Sequence, residues 1–248
     1  MLEILFQDDD YIAIHKPPGL LVHRTELDRH ETRFAVQMLR DQIGRVVWPV
    51  HRLDRGTSGV LLFALNPAAL TAASAAFEAD AVAKHYLAVV RGWPAESGVI
   101  DQPLSRQFDD YERHRAGIDY PPQTALTRYA RLATVEVPIA VDRYPQSRYA
   151  LLAVQPETGR RHQIRRHMKH IAHPIIGDAT HGKGIHNRMF QTHFGCHRLL
   201  LLCLAMQLKH PLSGAPLRLI TRPDEDFAAL CAQLGWAQAL QAHSQGML

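Results

Sequence analysis

Residues 50–60 read Val-His-Arg-Leu-Asp-Arg-Gly-Thr-Ser-Gly-Val and run on into an apolar segment ending near residue 65. This spacing sets one carboxylate, Asp54, two positions after the guanidinium of Arg52 and at the mouth of what must be core. A carboxylate so placed can serve as a nucleophile or a base. Gly56 and Gly59 permit the backbone angles of a sharp loop. Thr57 and Ser58 can hydrogen-bond the loop internally or take a phosphate oxygen. A cation this close to the carboxylate suits a site that admits a polyanion. The plainer alternative is an aspartate that only caps a turn. A protein-kinase catalytic loop is excluded, because Leu53 interrupts His-Arg-Asp, no asparagine follows at the required distance and there is no Gly-rich ATP loop.

A second stretch, residues 157–178, supplies positive charge. After the turn Glu157-Thr158-Gly159, Ile164, Met168 and Ile171 recur at helical spacing and should face the core. Arg161 and Arg165 then lie on the shoulder of that stripe, while Arg166 and His170 stay outside. A shoulder arginine is what a half-buried carboxylate needs as a partner; a solvated basic helix is the alternative. Arg160, Arg161, Arg165, Arg166 and Lys169 fall close together with no acidic residue among them, whereas residues 101–112 carry an acidic excess. That segregation points to a face that meets phosphate more firmly than the net charge of +4 or the pI near 9.1 does. Tyr86, behind Lys84 and His85, opens a strand-like run where an aromatic ordinarily packs into the core. Residues 177–183 fit G-x-x-x-x-G-K, but Gly184 stands where a nucleotide P-loop needs Ser or Thr. Sixteen histidines raise the question of metal, yet no H-E-x-x-H or paired C-x-x-C occurs, so no metal site is assigned.

These segments resemble the RluA-type pseudouridine synthases. The pattern HRLDxxTSGxxxxA is met by His51, Arg52, Leu53, Asp54, Thr57, Ser58, Gly59 and Ala64, and a Lys-Pro-x-Gly-x-x-Val-His pattern by Lys16, Pro17, Gly19, Val22 and His23. A third, Thr-Gly-Arg-x-His-Gln-hydrophobic-Arg-x-His, is met by Thr158, Gly159, Arg160, His162, Gln163, Ile164, Arg165 and His167. His-Pro-Ile-x-Gly-Asp follows at residues 173–178. The resemblance implies an isomerase that flips a uridine out of structured RNA and needs no cofactor. It implies Asp54 as the reacting carboxylate, Arg165 as its ion-pair partner and Tyr86 as the ring against the target base, with the phenol a candidate acceptor of the C5 proton through water. Arg52 would enter the RNA helix as the uridine leaves. His51, Thr57, Ser58, Lys84, Arg160, Arg161, Ile164 and Arg166 are the expected RNA contacts. Leu202 and Cys203 depart from the family's usual His-Ala. Residues 133–138, 143–149 and 194–200 resemble the branch acting on uridine 65 in the T-stem of tRNA, with an rRNA or a dual rRNA and tRNA substrate still open. A catalytically idle RNA-binding protein and a metal-dependent hydrolase are the rivals.

The elements that must hold these residues can be read more coarsely. Strands are expected at 2–6, 11–15, 60–65, 87–90, 124–137, 148–154, 198–210 and 216–221, and helices at 31–43, from Pro67 to about residue 80, after Gly159 and at 224–234. Asn66-Pro67 reads as an N-cap with proline at the first helical position. The resemblance implies an α+β pseudouridine synthase fold, a mixed, largely antiparallel sheet in two halves with flanking helices and a central catalytic cleft. One catalytic domain is expected over 1–235, with a surface loop at 105–123, a frayed tail at 236–248 and no separate S4-type RNA-binding domain. The chain has 248 residues and 46% hydrophobic content, enough to bury a large core. Its longest apolar run is too short to span a bilayer and its first residues do not form a signal peptide, so a cytoplasmic monomer without an obligate protein partner is expected. Cys196, Cys203 and Cys231 fit reduced thiols.

Overall fold

The strand that leaves the Asp54 loop is the best-buried element of the chain. In a computed structural model, which describes residues 1–23, 32–107 and 120–247, it is β4 (Ser58–Ala64), and all seven of its residues are buried. A strand covered on both faces needs a continuous apolar run rather than an alternating one, and Val-Leu-Leu-Phe-Ala supplies it. Its antiparallel neighbour is β2 (Tyr11–Lys16), itself paired with β1 (Glu3–Gln7), while the short β3 (Trp48–Pro49) also lies against β4. On its other side β4 runs parallel to β9 (Leu201–Lys209), through Ser58 opposite Leu202 and Gly59 opposite Cys203. From β9 the sheet continues antiparallel through β5 (Ala83–Arg91), β8 (Ser147–Pro156), β7 (Leu126–Val137) and β6 (Ser97–Asp101), and β10 (Pro216–Ile220) forms a hairpin with β9.

Six helices cover this ten-stranded sheet among the described residues: α1 (Ala35–Ile43), α2 (Pro67–Glu78), α3 (Gln163–His170), α4 (Gly184–Phe194), α5 (Glu225–Gln233) and α6 (Ala237–Gly246). Alternation along β5 decides which helices lie where. Leu87 and Val89 face a core shared with α4, α5 and α6, whereas Ala88 and Val90 face one shared with Ile164 and Met168 of α3. A third cluster gathers β1, β2 and β4 with α1 and α2. The fold is thus the mixed, largely antiparallel α+β arrangement that the motifs imply.

Local signals act as written. Asn66 caps α2 by accepting from the Ala69 N–H, and Gly44 closes α1 in the left-handed conformation. Several boundaries differ. The helix expected from residue 31 starts at Ala35, because Phe34 is held extended by a bridge to Leu21; residue 31 itself lies outside the described residues. The strand expected from residue 198 starts at Leu201, and β3, β6 and α4 were not expected at all. The tail expected to fray instead forms α6, because Trp236 and Leu240 are buried in the cluster shared with α5. Of the expected loop at 105–123, residues 108–119 lie outside the described residues, and its base is closed by a bridge between Leu104 and Gln123. Among the described residues no helix is long and apolar enough to cross a membrane.

Candidate active site

The Asp54 loop is clamped from behind. Lys16, at the end of β2 and fully buried, donates from Nζ to the carbonyls of Pro17 (3.0 Å), Leu20 (2.8 Å) and Arg55 (3.2 Å). Burial pulls its pKa down to about 7, against the attraction of Asp54. Where the loop becomes β4, Ser58 Oγ donates to Asp224 Oδ2 (2.6 Å), and Arg198 reaches both Ser58 Oγ (2.6 Å) and Asp224 (2.7 Å). The other Asp224 oxygen lies 2.6 Å from His15 Nε2. Burial raises the Asp224 pKa, but the His15, Ser58 and Arg198 contacts more than reverse that and hold it well below the usual carboxylate range. His51 turns inward too. Its Nε2 accepts the Leu62 N–H (3.1 Å), its ring stacks on Phe77, and burial pushes it down to about 4. Thr57 is buried, with its N–H on the Asp54 carbonyl (3.0 Å). Of the expected RNA contacts, His51 and Ser58 are hydrogen-bonded within the fold, Ser58 by the internal alternative, while Thr57 also lines a cavity beside Asp54.

This clamping leaves Asp54 facing α3. Arg165 Nη1 donates to Asp54 Oδ2 at 2.8 Å, joining two residues that are 111 positions apart in the chain. The same guanidinium holds Asp178 with both remaining arms, Nε to Oδ2 (2.7 Å) and Nη2 to Oδ1 (2.8 Å). The Asp178 side chain is 0% exposed and that of Asp54 20% exposed, so one carboxylate anchors the arginine while the other stays reachable. Burial works against the charge on Arg165, but the Asp178 and Asp54 carboxylates outweigh it and raise its pKa. Burial likewise raises Asp178, and Arg165 with the His181 and Thr180 N–H groups brings it below its ordinary value. Asp178 can sit there because residue 177 is glycine: a Cβ at Gly177, whose φ is +80°, would lie 1.8 Å from the Arg198 carbonyl oxygen. On the free side of Asp54, His162 Nε2 stands 3.7 Å from Oδ1.

Two cavities meet at Asp54. One, of about 410 Å³, is lined by Tyr86, Lys84, Thr57, Ile164 and Leu201. The other, of about 990 Å³, lies against the 177–180 and 194–199 turns and α5. Arg52, Arg161, His162 and Arg165 border both. Tyr86 is paired across the sheet with Cys203. Burial pushes the phenol well above its usual range. Lys84 is nearly buried beside it, with its pKa pulled down by burial. Ile164 serves the core and the cavity wall at once. Arg52 is exposed at the rim. Arg160, Arg161 and Arg166 line a third, basic hollow of about 250 Å³ beside Arg52. Arg166, expected to stand in solvent, is tied to Ser105 through its carbonyl (2.9 Å) and Oγ (2.8 Å).

Sequence reasoning gave no role to Asp178, His181, Lys16 or Asp224, although the Gly-Asp of the fourth motif marks Asp178. The histidines behind the hydrolase rival are largely engaged within the fold: His15 on Asp224, His167 on Thr127, His173 on the Arg91 carbonyl, His186 on Tyr149 and His210 on Asp8.

Residues 10–170 match the family described as RNA pseudouridylate synthase. The tRNA pseudouridine synthase C of Vibrio cholerae is 47% identical over 240 residues, spanning 97% of this chain and 98% of that protein. Its Yersinia pestis counterpart is 49% identical over 237 residues, 96% of this chain and 92% of that one. The solved structure of human RNA Pseudouridylate Synthase Domain Containing 1 shares the fold, with a TM-score of 0.69 at 24% identity over 98% of this chain and 95% of that one. With the matched motifs brought around one ion-paired aspartate, the chain belongs to the RluA-type RNA pseudouridylate synthase family, and is an isomerase that makes pseudouridine.

Proposed function

We propose that this pseudouridine synthase acts on uridine 65 in the T-stem of tRNA, as a cytoplasmic monomer, with Asp54 as the group that opens the glycosidic bond. The observation that carries the reading is the Asp54–Arg165 pair where two cavities meet, a carboxylate both charge-compensated and open to a ligand. The names of the Vibrio and Yersinia relatives support tRNA as the substrate class. A uridine within a helix hides its glycosidic bond, so the enzyme must extrude it at a cost on the order of a few kcal/mol. Arg52, exposed on the loop, is suited to fill the gap. Tyr86 in the smaller cavity would stack on the flipped uracil, a contact worth ~1 to 3 kcal/mol, while Lys84, Arg160, Arg161 and Arg166 meet phosphates. Asp54, paired with Arg165, attacks the nucleoside so that the glycosidic bond breaks, or removes the C2′ proton to give a glycal. Uracil then turns, rejoins the ribose through C5 and gives up its C5 proton.

The test is to incubate C5-tritiated tRNA and rRNA transcripts separately with the protein in EDTA, follow tritium release and map the product. Release from tRNA alone with pseudouridine at position 65 is expected. Modification of rRNA, or of another tRNA position, would overturn the assignment of substrate. Binding without tritium release would favour the idle RNA-binding protein.

A further inference from the structure

The contacts around Asp54 close into a ring, of which the reaction above uses one side. Arg165 joins Asp54 Oδ2 to Asp178, and Asp178 Oδ1 accepts the backbone N–H of His181 at 2.8 Å. His181 Nε2 lies 3.0 Å from Nδ1 of His162, and His162 Nε2 returns to the other oxygen of Asp54, at 3.7 Å. His162 occupies the N-cap of α3, where a side chain ordinarily turns back to the helix N–H groups. Here it makes no cap bond, and its backbone is left-handed, with φ +55°, a conformation that histidine adopts more readily than most residues other than glycine. The ring lies instead between His181 and Asp54. His181 is itself nearly buried.

We propose that His162 is a positioning residue for Asp54, its tautomer set by His181, so that Nε2–H is presented to the carboxylate oxygen that Arg165 does not hold. The inference rests on Asp54 being the reacting carboxylate. The tautomer follows from the ring of contacts: the alternative would aim an imidazole lone pair at an anionic oxygen. With Nε2 protonated, Nδ1 is the acceptor and His181 Nε2–H the donor. A carboxylate gripped through one oxygen can pivot about that bond, and a donor on the second oxygen fixes which lone pair faces the nucleoside. The separation of 3.7 Å is longer than a hydrogen bond, as catalytic contacts commonly are before substrate closes the site. The charged and titratable groups facing His162 are Asp54 from the loop, Arg161 and Arg165 from its own segment and His181 from the following turn. Burial, with the three cationic or imidazole neighbours, pushes it down to about 4 against Asp54. At neutral pH it therefore carries a single proton, and the ring assigns that proton to Nε2.

The experiment compares His162→Phe, His162→Gln, His181→Phe and Asp54→Asn in single-site tritium release from tRNA, with kcat, KM, the pH profile of kcat/KM and the melting temperature read for each. His162→Phe is expected to lower kcat about tenfold or more with KM within about twofold, and to move the acid limb to higher pH because the anion loses a donor. His162→Gln, whose amide can still donate, should recover most of the rate and leave that limb in place. His181→Phe should fall between them. His162→Phe with kcat within about twofold of the parent, or with a loss that tracks melting temperature and leaves the acid limb unmoved, overturns the proposal. Asp54→Asn separates the two levels: if it is inactive while His162→Phe is active, only the role of His162 falls, whereas an active Asp54→Asn removes the reading of Asp54 and this one with it.

Discussion

Asp54 and Arg165 form one ion pair, yet their substitutions should have different consequences. Asp54→Asn keeps the shape of a side chain that is only partly buried, so RNA affinity should stay within about tenfold while product formation is abolished. Tritium release near the parent rate from that variant would end the assignment. Arg165→Ala also strips both guanidinium donors from the sealed Asp178 carboxylate, leaving it only the Thr180 and His181 N–H groups, so it should cost about 3 to 5 kcal/mol of stability besides activity. A denaturant midpoint matching the parent would show that Asp178 does not depend on the arginine. At this scale the sequence was most legible where chemistry fixes residue type. The residue pattern put Arg161 and Arg165 where a half-buried carboxylate could find a cation, and the family resemblance pointed to Arg165. The direction a polar side chain faces was not legible: Ser58 and His51 look like contacts for RNA on paper, but Asp224 and the Leu62 N–H engage them.

Elements fail or hold according to the room their neighbours leave. At Gly59 the φ of +109° and a would-be Cβ 2.1 Å from the Cys203 carbonyl oxygen leave no space for alanine in either the backbone or the β4–β9 contact. Gly59→Ala should lower stability by about 3 kcal/mol or more and disturb the Asp54 loop. Chemical denaturation measures the first and RNA turnover the second; a folded variant with parental stability would contradict the geometry. Elements with strong periodicity or punctuation, such as β4, β8 and the Asn66-Pro67 start of α2, were legible for those reasons. The helix α4 was not, since its Gly-Ile-His-Asn-Arg start carries no capping pattern and its N-cap, Lys183, makes no cap bond. The helix α6 was lost because only Trp236 and Leu240 anchor it, and their burial depends on a surface made by α5 and β7, which no local pattern announces.

For the whole molecule the histidines set a pH window. Burial depresses His51, His162 and His186 from 6.5 to about 4 each. In the unfolded chain these groups take up protons as pH falls through 6.5, whereas the folded protein resists until about 4. Their stabilising effect is thus complete above about pH 6.5 and is lost progressively toward pH 4. Asp178 and Asp224, depressed by their partners, extend the loss in the same direction below 3.8. The melting temperature should fall between pH 7 and 4.5; a flat profile over that interval would contradict the burial of these rings. None of this was legible in a count of sixteen histidines, since a histidine's pKa is fixed by what folds over it.

The parallel contact of β4 with β9 joins the sheet's two flanks through just two rungs, Ser58 with Leu202 and Gly59 with Cys203. Asp54 lies only four residues upstream of that junction. A change that shifts one flank against the other at this line also shifts the root of the loop that carries Asp54.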